Sequence, residues 1–182
     1  QLQGGWLGGM PPVRRAAVVG HGESAASLAA ALDRAVVETD RVDDPVATLP
    51  DLTRHDLVAF TMPAAELPAA VTALQDRVPQ RAGALVAVPG VVGDGERPTD
   101  HVARRLDVRA VAALGVGADR CVVASRDAGF ARQLRELLRD GGVRATETDD
   151  VAGTELDSLA ATVASLAAAR RAVRDQVARA GG

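Results

Sequence analysis

From residue 15 onward, short apolar runs rich in Ala and Val alternate with stretches whose apolar residues recur every three or four positions, and this alternation permits few folds. Runs at 16–19, 35–39, 57–62, 84–88, 108–116, 120–125 and 143–148 read as strands. Stretches at 23–32, 63–78, 99–106, 128–139 and 151–180 read as helices. Leu28 and Leu32 lie four apart, and Leu67, Val71, Leu74 and Val78 keep helical spacing. Thr99 is the expected N-cap of its helix, and Gly141-Gly142 the stop of the one before the last strand. Residues 40–55 are polar and broken by proline, a loop with room for a short helix, and 89–98 is a Gly/Pro-rich connection. Strands that are apolar throughout are buried on both faces, which calls for a mostly parallel sheet with helices on each side. Right-handed crossovers make that an α/β, doubly wound fold, here with one long C-terminal helix. There is no internal repeat and no low-complexity linker.

The chain divides into three parts. Residues 1–9 are unlike a domain start and read as an adventitious or disordered leader, with Met10 as the native beginning. Residues 10–150 form the α/β domain, and 151–182 the C-terminal helix.

Some residue types are missing altogether. The chain has no Lys, Asn, Ile or Tyr, and all 21 basic residues are Arg. The codon bias of a GC-rich genome explains this; adaptation to salt or heat is the alternative, although Lys depletion opposes the usual heat signature. Either way, no mechanism that needs a lysine can run on this chain. A net charge of -3 offers no attraction for nucleic acid or an acidic membrane. Cys121 is the only cysteine, so no intrachain disulfide or cysteine-cluster metal site forms; its neighbours mark it as a buried strand residue rather than a reactive thiol. His21, His55 and His101 have no metal-ligand spacing, and no metal is expected. With no bilayer-length apolar run and no signal-peptide pattern, the expectation is a cytoplasmic protein.

The first strand runs into Gly20-His21-Gly22-Glu23-Ser24-Ala25 and then a helix, the arrangement that seats a pyrophosphate on backbone N–H groups and a helix dipole. Gly20 allows the turn, Gly22 allows close backbone approach, and Ala25 stands where a third glycine is common. About 20 residues on, Glu38-Thr39-Asp40 offers a carboxylate for the ribose hydroxyls of NAD. Asp40 is the candidate, with Met62 and Pro63 after the third strand completing the set. Glu23 cuts the other way: the helix N-terminus attracts its carboxylate, which could fill the anion seat itself. NAD or NADP binding and a turn kept only for folding both remain open.

Three segments resemble the bacterial NAD-dependent glycerol-3-phosphate dehydrogenase family. They are Cys121-Val122-Val123-Ala124-Ser125-Arg126-Asp127, the helix bearing Leu134, Leu137 and Leu138, and Thr148-Asp149-Asp150-Val151-Ala152-Gly153-Thr154-Glu155-Leu156. The glycine turn and Thr61-Met62-Pro63 fit the same family, and the resemblance runs from about residue 16 to 168. It implies a Rossmann-like NAD(P)-binding domain followed by a helical domain, and hydride transfer. The departures fall on the working parts. Pro89 stands at one lysine of the family and Ala161 at the other, with Thr162 for the adjoining asparagine. The stretch from Leu114 to Arg120 is too short for the family's substrate segment, and one helix replaces a helical bundle. Reduction of a ketone needs a proton donor and positive charge beside the developing alkoxide, and lysine supplies both. Arginine supplies only the charge. Asp149, Asp150, Thr154, Glu155 and Asp157 are the remaining candidates, with Asp150, Thr154 and Glu155 foremost; the competing role for Asp150 and Glu155 is to cap and position the last helix.

In that helix Leu156, Leu159, Val163, Leu166, Val173 and Val177 form a heptad-like seam interrupted at Arg170. Its first half suits packing on the sheet; its second half suits a second copy or another protein. Three readings follow: a degenerate, catalytically inactive member of the family serving as a nucleotide-binding or assembly module; an active NAD(P)-dependent oxidoreductase on a small phosphorylated or hydroxylated substrate; or a fragment of a longer protein.

Overall fold

The strands observed in the computed structural model, which describes residues 11–116 and 119–181, are β1 (Arg15–Val19), β2 (Glu38–Val42), β3 (Leu57–Phe60), β4 (Gly83–Val86), β5 (Ala110–Val116), β6 (Cys121–Ala124) and β7 (Ala145–Thr148). The expected leader at 1–9 lies outside the described residues. The helices are α1 (Glu23–Arg34), α2 (Pro45–Thr48), α3 (Leu67–Leu74), α4 (Pro98–Arg105), α5 (Ala128–Asp140) and α6 (Val151–Ala180).

The strands make one sheet in the order β2-β1-β3-β4-β5-β6-β7. All pairs are parallel except β5 with β6. Too few residues separate Val116 from Cys121 for a crossover, so those two strands pair as a hairpin. Strand alternation sends Ala16 and Val18 to one face and Ala17 and Val19 to the other, and both faces are buried. The first face packs under α1 and α5 through Leu28, Leu32, Phe130 and Leu134. The second packs under α3 and α4 through Leu67, Val71, Leu74 and Val102. This is the doubly wound, Rossmann-like architecture.

Several boundaries differ from the sequence expectation. The second strand spans Glu38–Val42 rather than 35–39, because Ala35, Val36 and Val37 close α1 instead: Val37 N–H donates to Leu32 O and Val36 N–H to Asp33 O. The helix expected over 63–78 is shorter. A 3-10 turn (Ala64–Glu66) leads into α3, and Pro68 lies in the first turn, where its missing N–H costs nothing. Thr99 is not the N-cap of α4; Arg97 holds that position and Pro98 follows it. Cys121 lies in β6 but is half-buried, and burial pushes its thiol pKa up.

Candidate functional site

The chain runs from β1 outward to β2, then crosses back to place β3 on the other side of β1. Ligands in such sheets bind where the order reverses, beyond the carboxyl ends of the strands. Here that point carries Gly20 after β1 and Thr61-Met62 after β3.

Gly20 is locked into place. Thr61 N–H donates to Val19 O at 2.8 Å, and Gly20 N–H donates to Val42 O at 2.9 Å. A Cβ on Gly20 would lie 2.0 Å from Thr61 O, and its φ of +127° is one that L side chains rarely adopt. Gly22, at φ +94°, is the opposite case: nothing lies within 4 Å of where its Cβ would be. It is the N-cap of α1, and no side chain bonds to the start of that helix. Glu23 and Ser24 are exposed, and Glu23 makes no hydrogen bond or ion pair among the described residues; it does not fill the anion seat. The first amide N–H groups of α1 therefore have no side-chain cap, and the helix dipole lies behind them. Ala25 is fully buried and packs α1 against β1.

Beside this turn lies a cavity of about 410 Å³, within the range of ligand pockets. Gly20, His21, Asp43, Asp44, Met62 and Glu66 are among its lining residues, with Ala65, Ala69 and Ala70 forming an apolar wall. His21 Nε2 lies 3.6 Å from the Glu66 carboxylate at the mouth. Asp44 caps α2, accepting from the N–H groups of Val46 and Ala47 at 3.1 Å. Asp43 lies 3.5 Å from Arg41. This acidic lining suits ribose hydroxyls; it is no seat for phosphate, which the bare start of α1 suits instead.

Of the residues singled out from sequence, Gly20, His21 and Met62 line the cavity, Gly22, Glu23 and Ser24 border the helix start, and Pro63 opens the 3-10 turn. Asp40 is not at the cavity. Arg15 Nε donates to its carboxylate at 3.0 Å, and His55 Nε2 lies 2.8 Å from it. Burial opposes ionisation of Asp40, but the bonds from His55 and Arg15 outweigh it and hold the carboxyl below its ordinary value. The carboxylates at the strand end are Asp43 and Asp44, which the misplaced second strand hid. The signal was present: Asp44-Pro45 is a cap followed by an N1 proline, so β2 had to end before it.

The foremost candidates for proton chemistry are all engaged elsewhere. Asp150 caps α6, accepting from Gly153 N–H at 2.9 Å. Thr154 is buried, and its hydroxyl donates to Asp150 O at 2.9 Å. Glu155 reaches across to α4, where it accepts from Thr99 N–H and Thr99 Oγ1–H, each at 2.9 Å. Burial raises its pKa against the opposing effect of those two bonds. Glu155 thus occupies the N-terminus of α4 rather than that of its own helix. Among the described residues, no cluster of His, Cys, Asp or Glu is arranged to hold a metal ion, and no helix is long and apolar enough to cross a membrane.

No family model matches the chain, and no curated protein sequence matches it. Solved structures do. A glycerol-3-phosphate dehydrogenase from Coxiella burnetii superposes with a TM-score of 0.69 at 16% identity, over 80% of this chain and 57% of that one. A PanE/ApbA family ketopantoate reductase from Ralstonia eutropha superposes at 0.61 and 18%, over 75% and 57%. D-mandelate dehydrogenase, solved as a ternary complex with NADH and anilino(oxo)acetate, superposes at 0.59 and 13%, over 78% and 59%. The chain spans less than two thirds of each of these proteins. At such identities the likeness is one of fold: the chain shares the Rossmann-like architecture of NAD-dependent glycerol-3-phosphate dehydrogenases and ketopantoate reductases.

Proposed function

We propose that this chain is a nucleotide-binding module on a dehydrogenase-type Rossmann fold, degenerate within the glycerol-3-phosphate dehydrogenase family, that holds NAD without carrying out that family's hydride transfer. One observation carries the reading: the start of α1 is uncapped and open at Gly22, beside a cavity of about 410 Å³ at the sheet's reversal point. The pyrophosphate would lie on the N–H groups of α1, and the adenosine ribose would meet Asp43. Two carboxylates beside that ribose disfavour a 2′-phosphate, so NAD is preferred to NADP. Bound nicotinamide would supply hydride chemistry; this chain's own residues supply no lysine for the accompanying proton, and Asp150, Thr154 and Glu155 are committed to holding α4 and α6. The D-mandelate dehydrogenase complex with NADH supports the cofactor class.

Calorimetric titration with NADH and NADPH, paired with a glycerol-3-phosphate oxidation assay, tests this. The expected result is NADH binding, weaker NADPH binding and no turnover above background. Turnover would overthrow the inactive reading, and an absence of binding to both would overthrow the nucleotide site. Ala69→Trp fills the cavity from an exposed position on α3 and is expected to abolish binding while leaving the thermal midpoint unchanged.

A further inference from the structure

We infer that α6 is a self-association element, pairing antiparallel with α6 of a second copy of this chain. The helix has two halves with different surroundings. Its start lies on the sheet: Val151 and Thr154 are buried, and a Cβ on Gly115 of β5 would meet Thr154 Cγ2 at 2.8 Å. Residues 163–180 are all exposed. That overhang is 18 residues by the numbering, roughly 27 Å of helix.

Its apolar side chains form one stripe. Of the ten large apolar side chains exposed among the described residues, five lie on α6: Leu156, Val163, Leu166, Val173 and Val177. With Leu159 they occupy successive a and d positions, and Arg170 takes one a position.

The pattern matches itself when reversed. Turning a second α6 end for end about Ala168 sets Leu159 against Val177, Val163 against Val173, and Leu166 against Arg170, each an a position facing a d position. The Arg170 stem then covers Leu166 while its guanidinium reaches water. Ala167 and Ala169 flank the axis, where small side chains let the helices approach closely. A parallel pair would place Arg170 against Arg170 in one layer. Reversal about Ala168 also sets Arg179 level with Asp157 of the other copy and opposes the two helix dipoles.

Light scattering of the full chain at tens of micromolar should give twice the 18.7 kDa mass of one chain. Leu166→Arg alters an exposed side chain, so it should keep the far-ultraviolet spectrum and return the mass to that of one chain. Orientation is read by cross-linking in a Cys121→Ser background. Val163→Cys chains mixed with size-tagged Val173→Cys chains should form the mixed disulfide, and neither variant alone should link to itself. A wild-type mass of one chain would overturn the inference. So would self-linking of either variant, or a mass unaffected by Leu166→Arg.

Discussion

Val36 and Gly142 occupy the same position in two copies of one helix-ending motif. After α1, Val37 N–H donates back to Leu32 O and Val36 lies at φ +63°; after α5, Val143 N–H donates back to Leu138 O and Gly142 lies at φ +82°. A left-handed residue is required at this position, and glycine adopts it without steric cost. Val36 is β-branched and 91% exposed, so it bears the strain with no packing in return. Val36→Gly should stabilise the chain by about 1 kcal/mol, raising the thermal midpoint by roughly 2–4 °C at this size. The two glycines of the nucleotide turn should respond differently from each other. Gly20→Ala forces a Cβ onto Thr61 O and should cost roughly 2–4 kcal/mol of stability. Gly22→Ala meets no neighbour; it should cost only about 1–2 kcal/mol of backbone strain yet weaken NADH binding, because its Cβ would intrude on the proposed pyrophosphate seat. Urea melts and calorimetry on both variants separate the two effects.

Between elements, two carboxylates act as ties with opposite pH signatures. Asp40 of β2 binds Arg15 of β1 and His55 at the entry to β3. Its folded pKa is lowered, so its contribution is complete above the ordinary aspartate value and is lost as pH falls through the folded value. Asp40→Asn should therefore flatten the acid limb of stability below that ordinary value. Glu155 ties α6 to α4, and its folded pKa is raised by burial. Between the ordinary glutamate value and the raised one, the folded chain binds more protons than the unfolded chain, so stability falls as pH rises. Glu155→Gln keeps an acceptor for Thr99 N–H and removes the buried charge; its stability should stay within about 1 kcal/mol of wild type near neutral pH and lose that pH dependence. Glu155→Ala leaves the start of α4 without either bond and should cost about 1–3 kcal/mol. Denaturant melts from pH 4 to pH 8 would check both signs.

At the scale of the whole molecule, the cavity beside Gly20 and the exposed half of α6 involve different residues, and each has its own handle. Asp43→Arg, exposed at the cavity, should shift preference from NADH toward NADPH without altering mass. Pairing through α6 should make the thermal midpoint rise with protein concentration, a dependence absent in Leu166→Arg. Strand and helix order, the doubly wound class and the glycine turn were legible, because buried strands are continuously apolar and helices repeat every three or four residues. The missing lysines needed no coordinates at all. The carboxylates at the cavity were only faintly legible: β2 is an edge strand of polar residues, Glu-Thr-Asp-Arg-Val, with a weaker pattern than the apolar helix end before it, and the Asp44-Pro45 cap alone marks where it stops. The fate of Glu155, whose partner Thr99 lies 56 residues away in sequence, was not legible. Local periodicity is a property of the chain alone, so the sequence determined the elements, their order and the chemistry excluded. Contacts between residues distant in sequence depend on how the elements pack. Packing is what makes Asp40 a tie, turns Asp43 to the cavity, leaves the start of α1 uncapped by Glu23 and sets half of α6 clear of the sheet.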